Sequence, residues 1–409
     1  MSRRGDLIAA VDVGTSKVAA IVGELTPTGL RVDGCGTAET RGFRRSEVTD
    51  VEALSHCIRA AVDEAELMAQ GVVRSGYITI APKTKRGIAN RGSARVQGAR
   101  VSESDVARVI EAARKPEPSP DEVYLHTLVR EFVVDDQEGV EQPIGMHGRQ
   151  LDALVQIVRV PAQTVSLAAR AMERARMQVE GVVLEVIASS YGVLDASERE
   201  AGVVVLEMGA ATTSLAVWYR GVLVHNATIP VGGDNITADI VVGTGAPNEA
   251  AERLKVDHGT AFTQRADARD TVELTGRFGR RTGPLSRGFL ATIIEPRVME
   301  ILRVAKREIE LSGYRDLIRA GYVLTGGTAM LRDTVDLAEQ VLDAPVRIGV
   351  PTEVEGFVDV VKQPKYAAAV GALLYAAGGE DAGWLYQQRE TSLTHRLRDT
   401  LRHWMTRIL

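Results

Sequence analysis

One β-hairpin turn, used twice, constrains this chain more than any other feature. Residues 7–25, "LIAAVDVGTSKVAAIVGEL", read as two apolar strands around a polar turn, and residues 202–218, "GVVVLEMGAATTSLAVW", read the same way. Aligned on their turns, Asp12-Val-Gly14-Thr15-Ser16 stands against Glu207-Met-Gly209-Ala-Ala211-Thr212-Thr213, the second acid 195 positions after the first. An acid, one residue, a glycine and then hydroxyls recur at the same point of the same hairpin, which implies two related domains facing each other. In such a turn glycine permits close backbone approach, and exposed amides and hydroxyls can hold phosphate oxygens. The acid at each mouth can hold water around Mg²⁺. One copy alone would pass for an ordinary hairpin turn, where Gly, Thr and Asp are common; two matching copies favour a phosphate cradle. The chain has no G-x-x-x-x-G-K-[ST] and no strand-linked G-x-G-x-x-G, so P-loop and Rossmann readings are unsupported.

The rest of the chain fills in around the two hairpins. Residues 51–70 place Val51, Leu54, Ile58, Ala61, Val62 and Ala65 at helical spacing behind Asp50 as N-cap. From residue 85 the texture changes to short strands, a helix capped near Ser102 and a Pro-rich break at 116–120, predicting an inserted α+β unit over 85–161. The long segment 288–313 reads as a helix ending on Gly313, and "KYAAAVGALLYAAG" as a small-residue helix suited to close packing. A length of 409 residues fits two to four domains. The net charge of −5 argues against nucleic acid as a partner. Cys35 and Cys57 give no disulfide framework and fit a reducing compartment. "MSRRGDLIAAVDVG" is no signal peptide, and no apolar run approaches the length of a spanning helix. A cytoplasmic chain is expected.

"VLTGGTAML" (323–331) sets Gly326-Gly327 and Thr328 at a strand-to-helix turn where a base or ribose can lie against backbone. Glu252 and Lys255 lie three apart on one helix, able to reach a nucleotide or each other. Lys17, beside the first turn, can point either way. "GRFGRRTGPLSR" carries Arg277, Arg280, Arg281 and Arg287, suited to an acidic partner, to the membrane or simply to solvent. The histidines show no ligand spacing, and His225 and His258 read as structural.

In the C-terminal segment 392–409, Leu393, Leu397, Leu401, Trp404, Met405 and Ile408 fall within an arc of roughly 120° on a helix. Arg396, Arg402 and Arg407, with His395 and His403, lie mostly opposite, and Arg398 sits at the border, where it can snorkel. The pattern describes a helix lying in the headgroup plane, drawn to anionic lipids by about 1 kcal/mol per basic residue. Four arginines against Asp399 leave this segment at +3 and, from a total of −5, the remainder at −8. A helix packed on the body or in a coiled coil is the competing reading; the position after a polar tether favours the membrane.

The order "DVGTSKV", "EMGAATT", "AAERLKVDHG", "LTGGTAML", "YAAAVGALLYA" resembles the actin/Hsp70/sugar-kinase ATPases. More specifically, "AAVDVGTSKVAAIVGEL", "PIGMHGRQLDA", "EVIASSYGVL", "RLKVDHGTA", "PLSRGFLATIIEPR" and the basic tail resemble the FtsA family of bacterial cell-division proteins, over about residues 7–409. The resemblance implies an α/β, actin-like (ribonuclease H-like) two-lobed fold with an inserted subdomain 1C in place of 1B. It implies subdomain 1A at 1–84, 162–197 and 347–377, 1C at 85–161, 2A at 198–242 and 300–346, and 2B at 243–299. A linker at 378–391 and the amphipathic helix at 392–409 complete it.

It also implies binding of ATP and Mg²⁺. Asp12 would organise the metal through water, with Glu207 as a second candidate organiser. Gly14, Thr15, Ser16, Lys17, Gly209, Thr212 and Thr213 would meet phosphate, Gly326, Gly327 and Thr328 the adenosine, and Glu252 and Lys255 the ribose. The partners implied are FtsZ, bound through 2B and tethered to the inner face of the cytoplasmic membrane at the septum, further copies of the chain in filaments, anionic lipids and other divisome proteins. The second turn departs from the family's D-x-G-G-G-T: glutamate lengthens the acid by one methylene, and Ala210 and Ala211 put methyls where phosphate would approach. Binding survives such changes better than hydrolysis does, so at most a weak ATPase is expected. The alternatives are a metabolic kinase or phosphatase of the same superfold, which would need a polar small-molecule pocket with a catalytic acid between the domains that the sequence does not identify, and an actin-like shape or pilus-assembly protein.

Overall fold

The two acids are the penultimate residues of equivalent strands. In a computed structural model describing residues 7–26, 29–82, 87–115, 119–267, 269–275 and 281–377, β1 (Ile8–Val13) and β2 (Lys17–Thr26) pair antiparallel with Asp12 opposite Ala19 and Val13 opposite Val18. Further along, β12 (Val203–Met208) and β13 (Thr213–Tyr219) pair with Glu207 opposite Ser214 and Met208 opposite Thr213, every partner displaced by 195 positions. The hairpin is therefore repeated residue for residue.

The first hairpin continues into β3 (Gly29–Glu39), a short hairpin β4 (Phe43–Arg44) and β5 (Glu47–Val48), α1 (Val51–Ala69) and β6 (Ser75–Ile80), which runs parallel to β1. Asp50 caps α1 by accepting from the Glu52 and Ala53 amides, and Leu54, Ile58, Ala61, Val62 and Ala65 are buried, as the helical spacing requires.

The chain then leaves the lobe to build a separate antiparallel sheet, in the order β7-β10-β8-β9, from β7 (Ile88–Arg95), β8 (Glu122–Val134), β9 (Gln137–Val140) and β10 (Gln150–Pro161). Between β7 and β8, α2 (Glu103–Ala113) opens on a Ser102–Asp105 capping box and packs Val106 and Val109 into this insert's own core with Phe132, Leu151 and Val155. The chain re-enters through α3 (Ala162–Arg174) and β11 (Gln178–Leu184), parallel to β6, and passes along α4 (Glu185–Val193) and α5 (Ala196–Ala201) into the second lobe.

There β14 (Val222–Ile229) follows β13, and α6 (Gly233–Thr244), α7 (Asn248–Arg253), the ribbon β15 (Thr271–Thr275) with β16 (Arg281–Ser286), and α8 (Arg287–Ser312) come next. Gly313, at φ 78°, closes α8 in the left-handed region as anticipated. β17 (Gly321–Thr325), α9 (Thr334–Leu342) and β18 (Val346–Ile348) finish the second sheet, and β19 (Val354–Gly356), α10 (Val358–Val361) and α11 (Ala367–Ala377) return to the first lobe.

The two sheets share a topology. One runs β11-β6-β1-β2-β3-β19 and the other β14-β13-β12-β17-β18, so β3-β2-β1-β6-β11 matches β14-β13-β12-β17-β18 strand for strand. The helices α4 and α11 cross at the junction, where Gly371 and Gly192 remove the side chains that would hold the backbones apart. This is the inserted α+β unit on a two-lobed α/β fold. The amphipathic segment 392–409, the linker 378–391, Arg277 and Arg280 lie outside the described residues.

Candidate functional site

Both sheets turn the carboxyl ends of their parallel strands toward one cleft, the place where open α/β sheets bind ligands. Asp12, last but one in β1, stands next to Thr79 of β6, and Glu207, last but one in β12, next to Thr325 of β17. The turns between the paired strands close alike: the Gly14 amide donates to the Lys17 carbonyl at 3.0 Å, and the Gly209 amide to the Thr212 carbonyl at 2.9 Å. The carbonyls of the second turn are taken up elsewhere. Gly209 O accepts from the Gly233 amide and the Thr328 hydroxyl, and Ala210 O from the Asp234 amide. Thr40 holds the first turn through its hydroxyl on Gly14 O at 2.8 Å. The amides of Thr15, Ser16, Ala210 and Ala211 are left without a hydrogen-bond partner among the described residues. These four residues line the cleft.

The cavity between the lobes measures about 380 Å³, and its lining is uneven. Asp12, Glu185, Glu207, Lys17 and Lys365 cluster at one end, while apolar Ile236, Val256, Met330 and Leu331 share the rest of the lining with the Glu252–Lys255 ion pair. At the charged end burial raises the Asp12 pKa, against the Thr79 hydroxyl, which donates to Oδ1 at 2.5 Å, and the neighbouring Lys17. Burial likewise raises Glu207 to about 8, opposed by the Ser189 hydroxyl and Lys17 and reinforced by Asp12. Ser189 lies close without hydrogen-bonding geometry, so Glu207 Oε2 has no partner among the described residues. Burial, then Glu207 and Asp12, push Glu185 well above the usual carboxylate range. Lys17 points into the cavity. Its buried Nζ lacks a hydrogen bond, stands 4.3 Å from the Tyr366 ring centroid, and is lowered to about 8 chiefly by burial.

Most of the expected residues meet here: Asp12, Gly14, Thr15, Ser16, Lys17, Glu207, Gly209, Thr212, Glu252, Lys255, Gly327 and Thr328 all line the cavity. Thr213 and Gly326 do not. Thr213 is fully buried and gives its hydroxyl to the Val231 carbonyl, because its place as the first residue of β13 turns it into the sheet. Gly326, at φ +86°, packs against Glu207, where a Cβ would stand 2.6 Å from Oε1; it shapes the second turn from behind. Glu252 and Lys255 reach each other at 2.7 Å, and Lys255 also donates to the Gly233 carbonyl and Thr237. They straddle the point where α7 widens into a π-turn at Leu254–His258, a local form common at functional sites.

Glu185 was not singled out from the sequence. The available signal was its place directly after β11, whose carboxyl end lies on the same sheet edge as that of β1. Among the described residues no group of three His, Cys, Asp or Glu can close around a metal, so these carboxyls would hold an ion only through water or phosphate.

Comparison with known proteins decides the family. The family described as "Cell division protein FtsA" matches residues 204–371, and that described as "SHS2 domain inserted in FTSA" matches residues 83–159. The cell division protein FtsA of Pseudomonas aeruginosa is 37% identical over 380 residues, 93% of this chain and 91% of that protein. That of Escherichia coli K12 is 34% identical over 377 residues, 90% of each. The chain belongs to the FtsA family of cell-division proteins. Its fold extends beyond that family. The PilM-PilN type IV pilus biogenesis complex superposes with a TM-score of 0.65 at 17% identity over 92% of this chain and 99% of that one. MreB5 of Spiroplasma citri bound to ADP gives 0.54 at 13% over 95% and 99%. At such identities these likenesses show the fold alone, an actin-like one. An FtsA-family chain serves cell division, and among its described residues no helix is long and apolar enough to cross a membrane.

Proposed function

We propose that this FtsA-family chain binds ATP with Mg²⁺ in the interlobe cleft and tethers FtsZ filaments, through its segment 392–409, to the inner face of the cytoplasmic membrane at the septum. The observation that carries the nucleotide reading is the lining of the cavity. Apolar Ile236, Val256, Met330 and Leu331 beside Gly327 and Thr328 suit a base, the Glu252–Lys255 pair suits a ribose, and the charged cluster with unbonded turn amides suits phosphates. Lys17, whose buried Nζ makes no hydrogen bond, is a ready counter-charge. Bound Mg²⁺ would neutralise phosphate charge. Asp12 would hold its water shell, with Glu185 and Glu207 behind. At neutral pH Glu207, raised to about 8, stays largely protonated and is a poor base for activating water. Together with the Ala210 and Ala211 methyls, this supports slow turnover or none, so that nucleotide sets conformation and filament assembly more than it drives chemistry.

FtsZ would dock on residues 243–299, and copies of the chain would polymerise. The metabolic-kinase alternative and the shape or pilus alternative lose to family membership, since identity to FtsA proteins is about twice that to the pilus and shape neighbours. Sedimentation with vesicles containing anionic lipid tests the tether. The full chain should pellet with them and Trp404→Glu should stay in the supernatant; equal pelleting of both would refute the membrane role.

A further inference from the structure

His126 sits on β8 of the insert, yet its ring reaches out of that sheet. It is 6% exposed, and its Nε2 accepts the Leu184 backbone N–H at 3.0 Å. β11 is the edge strand of the first sheet, so the Leu184 amide has no neighbouring strand to donate to, and the histidine takes that place. An acceptor at Nε2 puts the ring proton on Nδ1, which faces the Tyr375 hydroxyl of α11 at 3.3 Å. Burial lowers the His126 pKa to about 4, so the neutral ring this arrangement requires is the form present at neutral pH.

Leu184 is the residue before Glu185. The same ring also begins a chain of edge-to-face contacts: His126 to Tyr375 at 5.7 Å between centroids, Tyr375 to Tyr191 of α4 at 5.3 Å, and Tyr191 to Trp218 of β13 at 5.8 Å. The far end, Trp218, stands on β13 opposite Val203, at the end of the strand away from the second turn. One side chain of the insert thus holds the start of the helix that carries Glu185 and leans on the junction between the lobes.

We propose that His126 is a positioning residue: it fixes the N-terminus of α4, and with it Glu185, and so couples the orientation of the insert to what occupies the cleft. A ligand that moves Glu185 must move or strain the Leu184–His126 bond, and a partner that turns the insert must act on Glu185 by the same bond. The coupling to nucleotide rests on the reading proposed above; the hold on Leu184 does not.

The test compares the full chain with His126→Leu, which removes the acceptor, and His126→Gln, whose Oε1 can replace Nε2. Hydrogen–deuterium exchange without nucleotide should be about fivefold faster at 182–186 in the leucine variant, the loss of one net hydrogen bond, and close to the original in the glutamine variant. With ATP and Mg²⁺, exchange over 122–134 should change in the original chain and in His126→Gln but not in His126→Leu, while calorimetry shows all three binding ATP. Unchanged exchange at 182–186 in His126→Leu, or an undiminished ATP response in it, overturns the proposal. Should the original chain bind no ATP, the nucleotide reading and the coupling to it fail together, and the nucleotide-free arm still decides whether His126 holds α4. Tyr375→Phe, which removes the Nδ1 partner and keeps the ring, should give the same signs in smaller measure and serves if His126→Leu does not fold.

Discussion

The crossing of α4 and α11 should be intolerant of a single methyl at Gly371. A Cβ there would stand 1.8 Å from the Ala188 carbonyl oxygen, 2.6 Å from its carbon and 2.9 Å from the Gly192 nitrogen. Carbon and oxygen rest roughly 3.3 Å apart, so the helices must separate by about 1.5 Å. A gap of about 0.5–1 Å already forfeits a quarter to a half of a contact's attraction, and overpacking a core costs about 1–3 kcal/mol or more. Alanine's better helix propensity returns about 1 kcal/mol. With so close a clash at the upper end of that range, the net loss for Gly371→Ala is about 2 kcal/mol, roughly 2–3 °C in Tm at about 2.1 cal/mol/K per residue over 409 residues. Gly192→Ala, whose Cβ would meet the Ala367 carbonyl at 2.7 Å, should lose less. Thermal unfolding followed by circular dichroism measures both. Because α4 opens with Glu185, Gly371→Ala should also weaken ATP binding in a calorimetric titration. A melting point within 1 °C of the original, or a larger loss for Gly192→Ala, would show that the crossing does not set the lobe junction.

Other substitutions probe the cleft and the insert. Gly327→Ala places its methyl in open space at a helical φ of −63°, so Tm should hold while ATP affinity falls; Gly326→Ala, at φ +86° against Glu207, should lower Tm. The two outcomes reversed would mean the turn has been read backwards. Ala211→Gly should leave any measured ATP hydrolysis unchanged or raise it, and a clear fall would show that the methyl is no impediment. His126 is neutral in the fold, with a pKa of about 4 against an ordinary 6.5, and the unfolded chain takes up the proton the fold refuses. Its contribution is thus complete above about pH 6.5 and lost as pH falls toward 4, by of order 3 kcal/mol. Urea titrations at pH 7 and pH 4.5 should show this loss shrink in His126→Gln; an identical pH dependence would contradict the burial argument.

The duplicated hairpin was legible because its chemistry is local. An acid, a glycine and hydroxyls in a turn are adjacent in sequence, and the strand register then reproduces the spacing of 195. The caps at Asp50, Ser102 and Gly313 were legible for the same reason. Glu185 and His126 were not. Glu185 joins Asp12 only because β11, β6 and β1 run parallel, and His126 acts through a residue 58 positions away on an edge strand. Thr213 and Gly326 show the opposite limit: type and position suited a ligand, but strand phase turned one inward and a left-handed backbone set the other behind the turn.

Flotation of FtsZ with anionic vesicles tests the central claim most directly. In the presence of ATP and Mg²⁺, the full chain should carry polymerised FtsZ up with the vesicles, and a chain ending at residue 391 should leave FtsZ at the bottom. FtsZ remaining at the bottom with the full chain, or floating equally with the shortened one, would contradict the account.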